Sequence, residues 1–178
     1  MTSTASRLAR RACLFIAVFF VAQTQSPAWA DDVLDSAKAR MTGVYTLWQW
    51  DKDDVSYVPP QVDGRFILMN GVIMTILYNR MQPGTLVSSV LVGKYELSPT
   101  RFAYGYDEVS VVTESADSKS VSHKPFWEGM RGFIVSVSDD AVRMREENGT
   151  REFVFANDEL NYFEKGKLLR KWRRTADK

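Results

Sequence analysis

The chain has 178 residues, with 23 basic and 22 acidic side chains, one histidine and one cysteine, for a formal net charge of +1 at pH 7. So even a balance leaves no basic surplus to draw nucleic acid or an acidic membrane surface. A single thiol excludes an internal disulfide framework, while 45% apolar residues are enough for one domain with a true core.

Residues 1–30 read as a targeting segment. Arg7, Arg10 and Arg11, with no acidic residue among them, precede the apolar run Ala12–Ala22, and Ser26-Pro27-Ala28-Trp29-Ala30 ends it with small residues at Ala28 and Ala30. That order is the signature of a secretory signal peptide, with cleavage expected after Ala30. A spanning anchor would need ~20 apolar residues, about twice this run. The remainder, residues 31–178, loses three arginines, no acid and Cys13, so its formal charge becomes −2. The expectation is a periplasmic or secreted domain without a stable membrane anchor, dependent on its core rather than on disulfides.

Residues 32–41 put Val33, Leu34, Ala37 and Met41 on one side at helical spacing, which predicts a short amphipathic helix lying over one end of the domain. From Gly43 onward the chain reads as strand after strand. The first is Gly43–Trp50, followed by an acidic, Pro-containing loop over Asp51–Val62. Gly64–Met69 and Val72–Tyr78 flank Asn70-Gly71, a dipeptide suited to the positive φ angles of a type I′ hairpin turn. Two long strands, Thr85–Leu97 and Arg101–Thr113, lie on either side of Ser98-Pro99-Thr100. A polar loop ending in aromatics covers residues 114–128. Gly129–Ser138 and Ala141–Glu147 form another hairpin, and Thr150–Phe155, Leu160–Glu164 and Lys167–Arg173 are joined by turns at Asn157-Asp158 and Lys165-Gly166.

Many short, even strands either close on themselves or leave adhesive edges. The pattern therefore predicts an all-β fold: a single antiparallel up-and-down β-barrel of 8–10 strands with a short N-terminal helix. Alternation puts Val72, Met74, Ile76 and Tyr78 on one face, and sets Phe133, Val135 and Val137 against Ile134, Ser136 and Ser138. Both faces of Gly64–Tyr78 are largely apolar, so the face turned away from the interior is expected beneath the helix or a partner. Arg143, Arg145, Glu147, Glu152, Lys167 and Lys171 mark a solvated wall.

Catalytic chemistry is poorly represented. His123 could serve as a haem ligand or a general base, but a polar loop histidine exposed to water is the ordinary reading. One histidine and no mature cysteine do not make a zinc site. Asp51, Asp53 and Asp54 read as solvated turn charge. Asp107 and Glu108, beside Gly105 in a long strand, mark a bulge, from which either could turn inward to bind a polar head group. The serines lack a Gly-x-Ser-x-Gly setting, and no glycine-rich phosphate loop is present. No catalytic residue, metal or cofactor is assigned.

Aromatic residues supply the remaining clue. In a regular strand Trp48 and Trp50 share a face with Val44 and Thr46. With Arg65, Tyr78, Tyr104 and Tyr106 they form the candidate ligand-binding set, an aromatic pocket with a few polar groups. The alternative is that they are barrel core.

Three segments give the chain a family likeness. Gly43-Val44-Tyr45-Thr46-Leu47, Gly64-Arg65-Phe66-Ile67-Leu68 before Asn70-Gly71, and Gly93-Lys94-Tyr95-Glu96-Leu97 resemble the first strands of the bacterial lipocalin-like domain, a branch of the calycin barrels. Leu168-Leu169-Arg170-Lys171-Trp172-Arg173-Arg174 resembles its closing Trp-x-Arg strand. The likeness implies a barrel whose base is closed by an arginine of the last strand across the first-strand aromatic, here Tyr45 with Arg170 or Arg173. It also implies a small hydrophobic ligand for some members. Binding of a small, mainly apolar ligand without catalysis is the expected function. The alternatives are a cell-envelope protein-interaction module, docking through Phe126-Trp127 of the 114–128 loop, and a barrel cyclase or isomerase.

Overall fold

The structure, a computed structural model, describes residues 28–124 and 129–175. Residues 1–27 of the expected signal peptide, and Phe126-Trp127, lie outside the described residues. One helix, α1 (Ala28–Met41), is followed by β1 (Gly43–Lys52), β2 (Val55–Tyr57), β3 (Val62–Met69), β4 (Val72–Asn79), β5 (Thr85–Leu97) and β6 (Arg101–Ser115). Then come β7 (Lys119–Lys124), β8 (Arg131–Val137), β9 (Ala141–Glu146), β10 (Arg151–Ala156), β11 (Glu159–Glu164) and β12 (Lys167–Arg174).

Ten strands close an antiparallel barrel in the order β1-β3-β4-β5-β6-β8-β9-β10-β11-β12, with β12 returning to β1. β2 and β7 are side strands, which corrects the reading of two segments as loops. Asp53 and Asp54, at φ 52° and 61°, form a two-residue turn that folds β2 back onto β1. β7 pairs along Val109–Glu114 of β6, whose first residues pair with β8 instead. The Asn70-Gly71, Asn157-Asp158 and Lys165-Gly166 turns all have positive φ at both positions, which the sequence predicts for Asn70-Gly71, and each joins directly paired strand ends.

Alternation holds along β3 and β4. In β4, Ile73, Thr75 and Leu77 point inward and are buried, while Val72 and Tyr78 face outward. Of the two covers expected for the apolar outer face of β4, the helix or a partner, the helix is not one; it packs on β8, β9 and β10.

Three irregularities interrupt the alternation. In β1, Leu47 pairs with Trp172 and Gln49 with Lys171, so Trp48 has no partner. In β6, Asp107 is the extra residue opposite Val92-Gly93. In β12, Leu169 is skipped between Tyr162 and Phe163 of β11. Because side chains alternate with a period of two, each extra residue reverses the inside and outside assignment beyond it. In β6, Tyr106 and Val109 are buried while Asp107 and Glu108 both project outward. The bulge expected there is present, and neither carboxylate faces the interior.

At the α1 end the barrel is filled. Ala37 and Met41 of the helix are fully buried. Tyr45 packs edge-on against Phe66 and Phe155, and Phe66 continues to Trp172 and Phe153. Phe153 meets Phe133 and Tyr104, and Phe133 meets Phe102, so one run of touching rings spans the barrel. Aromatic pairs in such offset and edge-to-face geometry contribute about 0.5–1.5 kcal/mol each beyond area burial.

Candidate functional site

The two ends of the barrel differ. At the α1 end, the Tyr45 hydroxyl lies 3.0 Å from the Arg40 carbonyl and 3.1 Å from that of Met41, and it accepts from Arg174 Nη2 at 2.8 Å. Arg174 also donates to the Thr42 carbonyl at 2.6 Å and to the Arg40 carbonyl, and its guanidinium lies 5.0 Å from the Tyr45 ring. These carbonyls belong to the last turn of α1 and the residue after it, where helical partners run out and a cation is favoured. Gly43 leaves room for this contact, since a Cβ there would lie 2.8 Å from Arg174 Nη1.

The aromatic–cation closure expected at the base is therefore made by Tyr45 with Arg174, not with Arg170 or Arg173. Register decides it, because Tyr45 pairs directly with Arg174. Arg173 instead lies on the outer wall, 3.7 Å from the Trp48 ring, and Arg170 lies 4.0 Å from the ring of Trp50.

Toward the other end the described residues leave the barrel unfilled. A cavity of about 280 Å³ lies above Phe66, Phe153 and Trp172. It is built near strand ends remote from α1: Arg131 and Arg151 are the first residues of β8 and β10, Glu164 is the last of β11, and Leu169-Arg170 lie early in β12. Leu77 and Leu91 of β4 and β5 form an apolar patch, while Thr75 adds a hydroxyl and Tyr104, Tyr106 and Tyr162 add phenols.

The charges around the cavity are unequally neutralised. Arg151 bridges Glu146 at 3.1 Å and Glu164 at 3.2 Å, and Glu146 is only 7% exposed. Arg170 makes no ion pair or hydrogen bond among the described residues, and its Nε is buried without a partner. Its contacts are the faces of Trp50 and Tyr162, at 4.0 and 5.8 Å. Burial pulls its pKa below the ordinary arginine value, against the upward pull of Tyr162, Tyr106 and Glu164; an arginine still stays charged. Burial also pushes Tyr106 up to about 12, although its hydrogen bond with Thr75 (2.6 Å) pulls the other way. Tyr104 and Tyr162 are likewise raised, chiefly by burial. The phenols are thus neutral at physiological pH, and the lining holds three arginines beside one glutamate.

Of the six residues picked from the sequence, Tyr104 and Tyr106 line the cavity. Trp50 packs against the core with Arg170 on its ring. Three need correction. Trp48 is 39% exposed on the outer wall, separated from Trp50's face by the bulge it occupies. Tyr78 is on the outward parity of β4 and 38% exposed. Arg65 is exposed too, bonded to Asp63 and to the Gly64 carbonyl. Sequence reasoning missed Arg131, Arg151 and Glu164, and saw Arg170 only as a partner for Tyr45. The available signal was spacing: Arg131-x-Phe133, Arg151-x-Phe153, Tyr162-x-Glu164 and Arg170-x-Trp172 each set a polar residue two places from a large inward-facing ring or pair it with one.

His123 does not build a catalytic centre. Its Nδ1 lies 2.8 Å from Ser110 Oγ and 4.0 Å from Glu108 Oε1, on the exposed face of β6 and β7. A serine and a carboxylate at the same ring nitrogen cannot act as nucleophile and orienting acid, which need opposite nitrogens. Among the described residues no cluster of three or more histidine, cysteine, aspartate or glutamate side chains could hold a metal ion, and no helix is long and apolar enough to cross a membrane.

The fold defines a closed, ten-strand antiparallel barrel, a form compatible with calycin-like barrels. Comparison with family models, with curated proteins and with solved structures returned no match to this chain.

Proposed function

We propose that this chain is an exported, lipocalin-like binding protein that takes a small, mainly apolar ligand into the barrel interior rather than catalysing a reaction. The observation that carries the reading is the cavity of about 280 Å³, bounded by aromatic and aliphatic side chains with a few converging polar groups. Its size is at the lower edge of the ~300–1,000 Å³ typical of small-ligand sites, and its lining has their usual make-up. The division of the barrel supports the same reading: one end is sealed by α1 and the Tyr45–Arg174 contact, and among the described residues packing stops short of the other. A docking module needs no such space, so empty volume favours a ligand over a solid barrel. The lipocalin-like assignment draws on the first and last strands, which meet at the base through an aromatic and an arginine. Native mass spectrometry of the protein purified gently from a periplasmic extract is the test. The expected result is a reproducible small-molecule mass excess that disappears on denaturation; a bare mass together with no uptake of octanoate or 1-octanol would overturn the reading.

A further inference from the structure

We infer that the ligand is an amphipathic monoanion of the carboxylate class, its head group held by Arg170 and its apolar part lying against Leu77 and Leu91; this rests on the ligand-binding reading above. Four observations carry it. First, Arg170 is a cation of the cavity wall without a carboxylate partner or a hydrogen bond among the described residues, and its Nε is buried and unsatisfied. A guanidinium at a cavity wall with no carboxylate or carbonyl partner keeps donors that an anion entering the cavity can satisfy.

Second, the guanidinium is held in place before any ligand arrives. The Trp50 ring, 4.0 Å away, covers one side, and Tyr162 is 5.8 Å away. Such stacking orients the planar fork and leaves its edge to accept a two-oxygen head group. Third, of the two other arginines in the lining, Arg131 and Arg151, the second holds Glu146 and Glu164, and Glu164 itself lines the cavity. A second negative charge on the ligand would face that carboxylate, which favours a monoanion over a dianionic phosphate. Fourth, the cavity has apolar surface set apart from Arg170. β12 supplies Arg170, whereas Leu77 and Leu91 come from β4 and β5, well removed from β12 in the strand order. A ligand with a charged head and a short aliphatic body matches that arrangement.

Calorimetric titration of the purified chain with octanoate and with 1-octanol, two probes alike in chain length and different in head-group charge, tests the assignment. The expected result is that octanoate binds more tightly than 1-octanol by at least about tenfold. Arg170→Met should weaken octanoate by about 10- to 150-fold, the scale of a lost charge-assisted hydrogen bond, and alter 1-octanol by less than about threefold. Arg170→Lys, which keeps the charge and loses the fork, should retain part of the preference. Equal binding of the two probes to the unaltered protein would overturn the anion assignment while leaving the ligand reading intact, and needs no variant to fold. An equal loss of both probes in a folded Arg170→Met protein would do the same. Failure of both probes to bind the unaltered protein would overturn the assignment together with the reading beneath it.

Discussion

Replacing Arg174 with methionine removes the group that joins the last strand to the end of α1, while leaving most of its aliphatic stem. In the intact protein this guanidinium donates to the Arg40 and Thr42 carbonyls and to the Tyr45 hydroxyl, whose own exposure is 1%. A hydrogen bond from a charged donor contributes about 1.5–3 kcal/mol. A cation at a helix C-terminus adds about 0.3–1 kcal/mol. The ion pair with Asp158 adds little, because that carboxylate is almost fully in water. The bonds share one side chain at a partly open base and do not sum, so the expected loss is about 3 kcal/mol, or roughly 6–12 °C in Tm for a domain of this size. Urea denaturation followed by circular dichroism measures it. Amide exchange across residues 30–42 should quicken as well, since the helix loses its anchor. Arg173→Met is the control: its contacts are the outward-facing Trp48 ring and Glu159, worth about 1 kcal/mol or less. An Arg174→Met protein within about 0.5 kcal/mol of the parent, or an Arg173→Met protein more damaged than it, would refute the reasoning about register at the base.

The interior yields two more expected outcomes. Tyr45 and Tyr106 are both held at about 12, by burial above all, against 10 for an ordinary phenol. Between pH 10 and 12 the unfolded chain loses protons that the folded chain keeps. Their contribution is therefore whole below pH 10 and declines by up to about 1.4 kcal/mol per pH unit for each group until pH 12. Tyr104 shifts in the same direction. Urea midpoints at pH 9, 10 and 11 should fall across the last interval, and a flat profile would contradict the burial of these phenols. Gly93→Ala should be among the most damaging small substitutions. Its Cβ would lie 1.9 Å from the Gly105 carbonyl oxygen and 2.6 Å from the Tyr106 Cα, both backbone atoms that cannot swing away. A loss of at least about 3 kcal/mol is expected, with altered near-ultraviolet dichroism as the β6 bulge shifts; a near-neutral variant would mean the two strands are not so close.

Local chemistry made much of this fold legible in the amino-acid sequence. Asn70-Gly71 and Lys165-Gly166 are turns because few dipeptides tolerate two positive φ angles, and that property travels with the residues themselves. Alternation along Val72–Tyr78 and Phe133–Val137 marked strands for the same reason, and enough short strands in one domain implied closure. The expectation that an arginine of the last strand meets Tyr45 was correct in kind but named the wrong neighbours. Only pairing register, a property of two strands together, distinguishes Arg174 from Arg173 and Arg170. The tertiary structure alone decided which faces are inside. Trp48 and Trp50 share a face in any regular strand, and one unpaired residue in β1 separates them. The cavity was hidden for a related reason. Its arginines come from β8, β10 and β12, far apart along the chain, and they converge only when the barrel closes and brings those strand ends together.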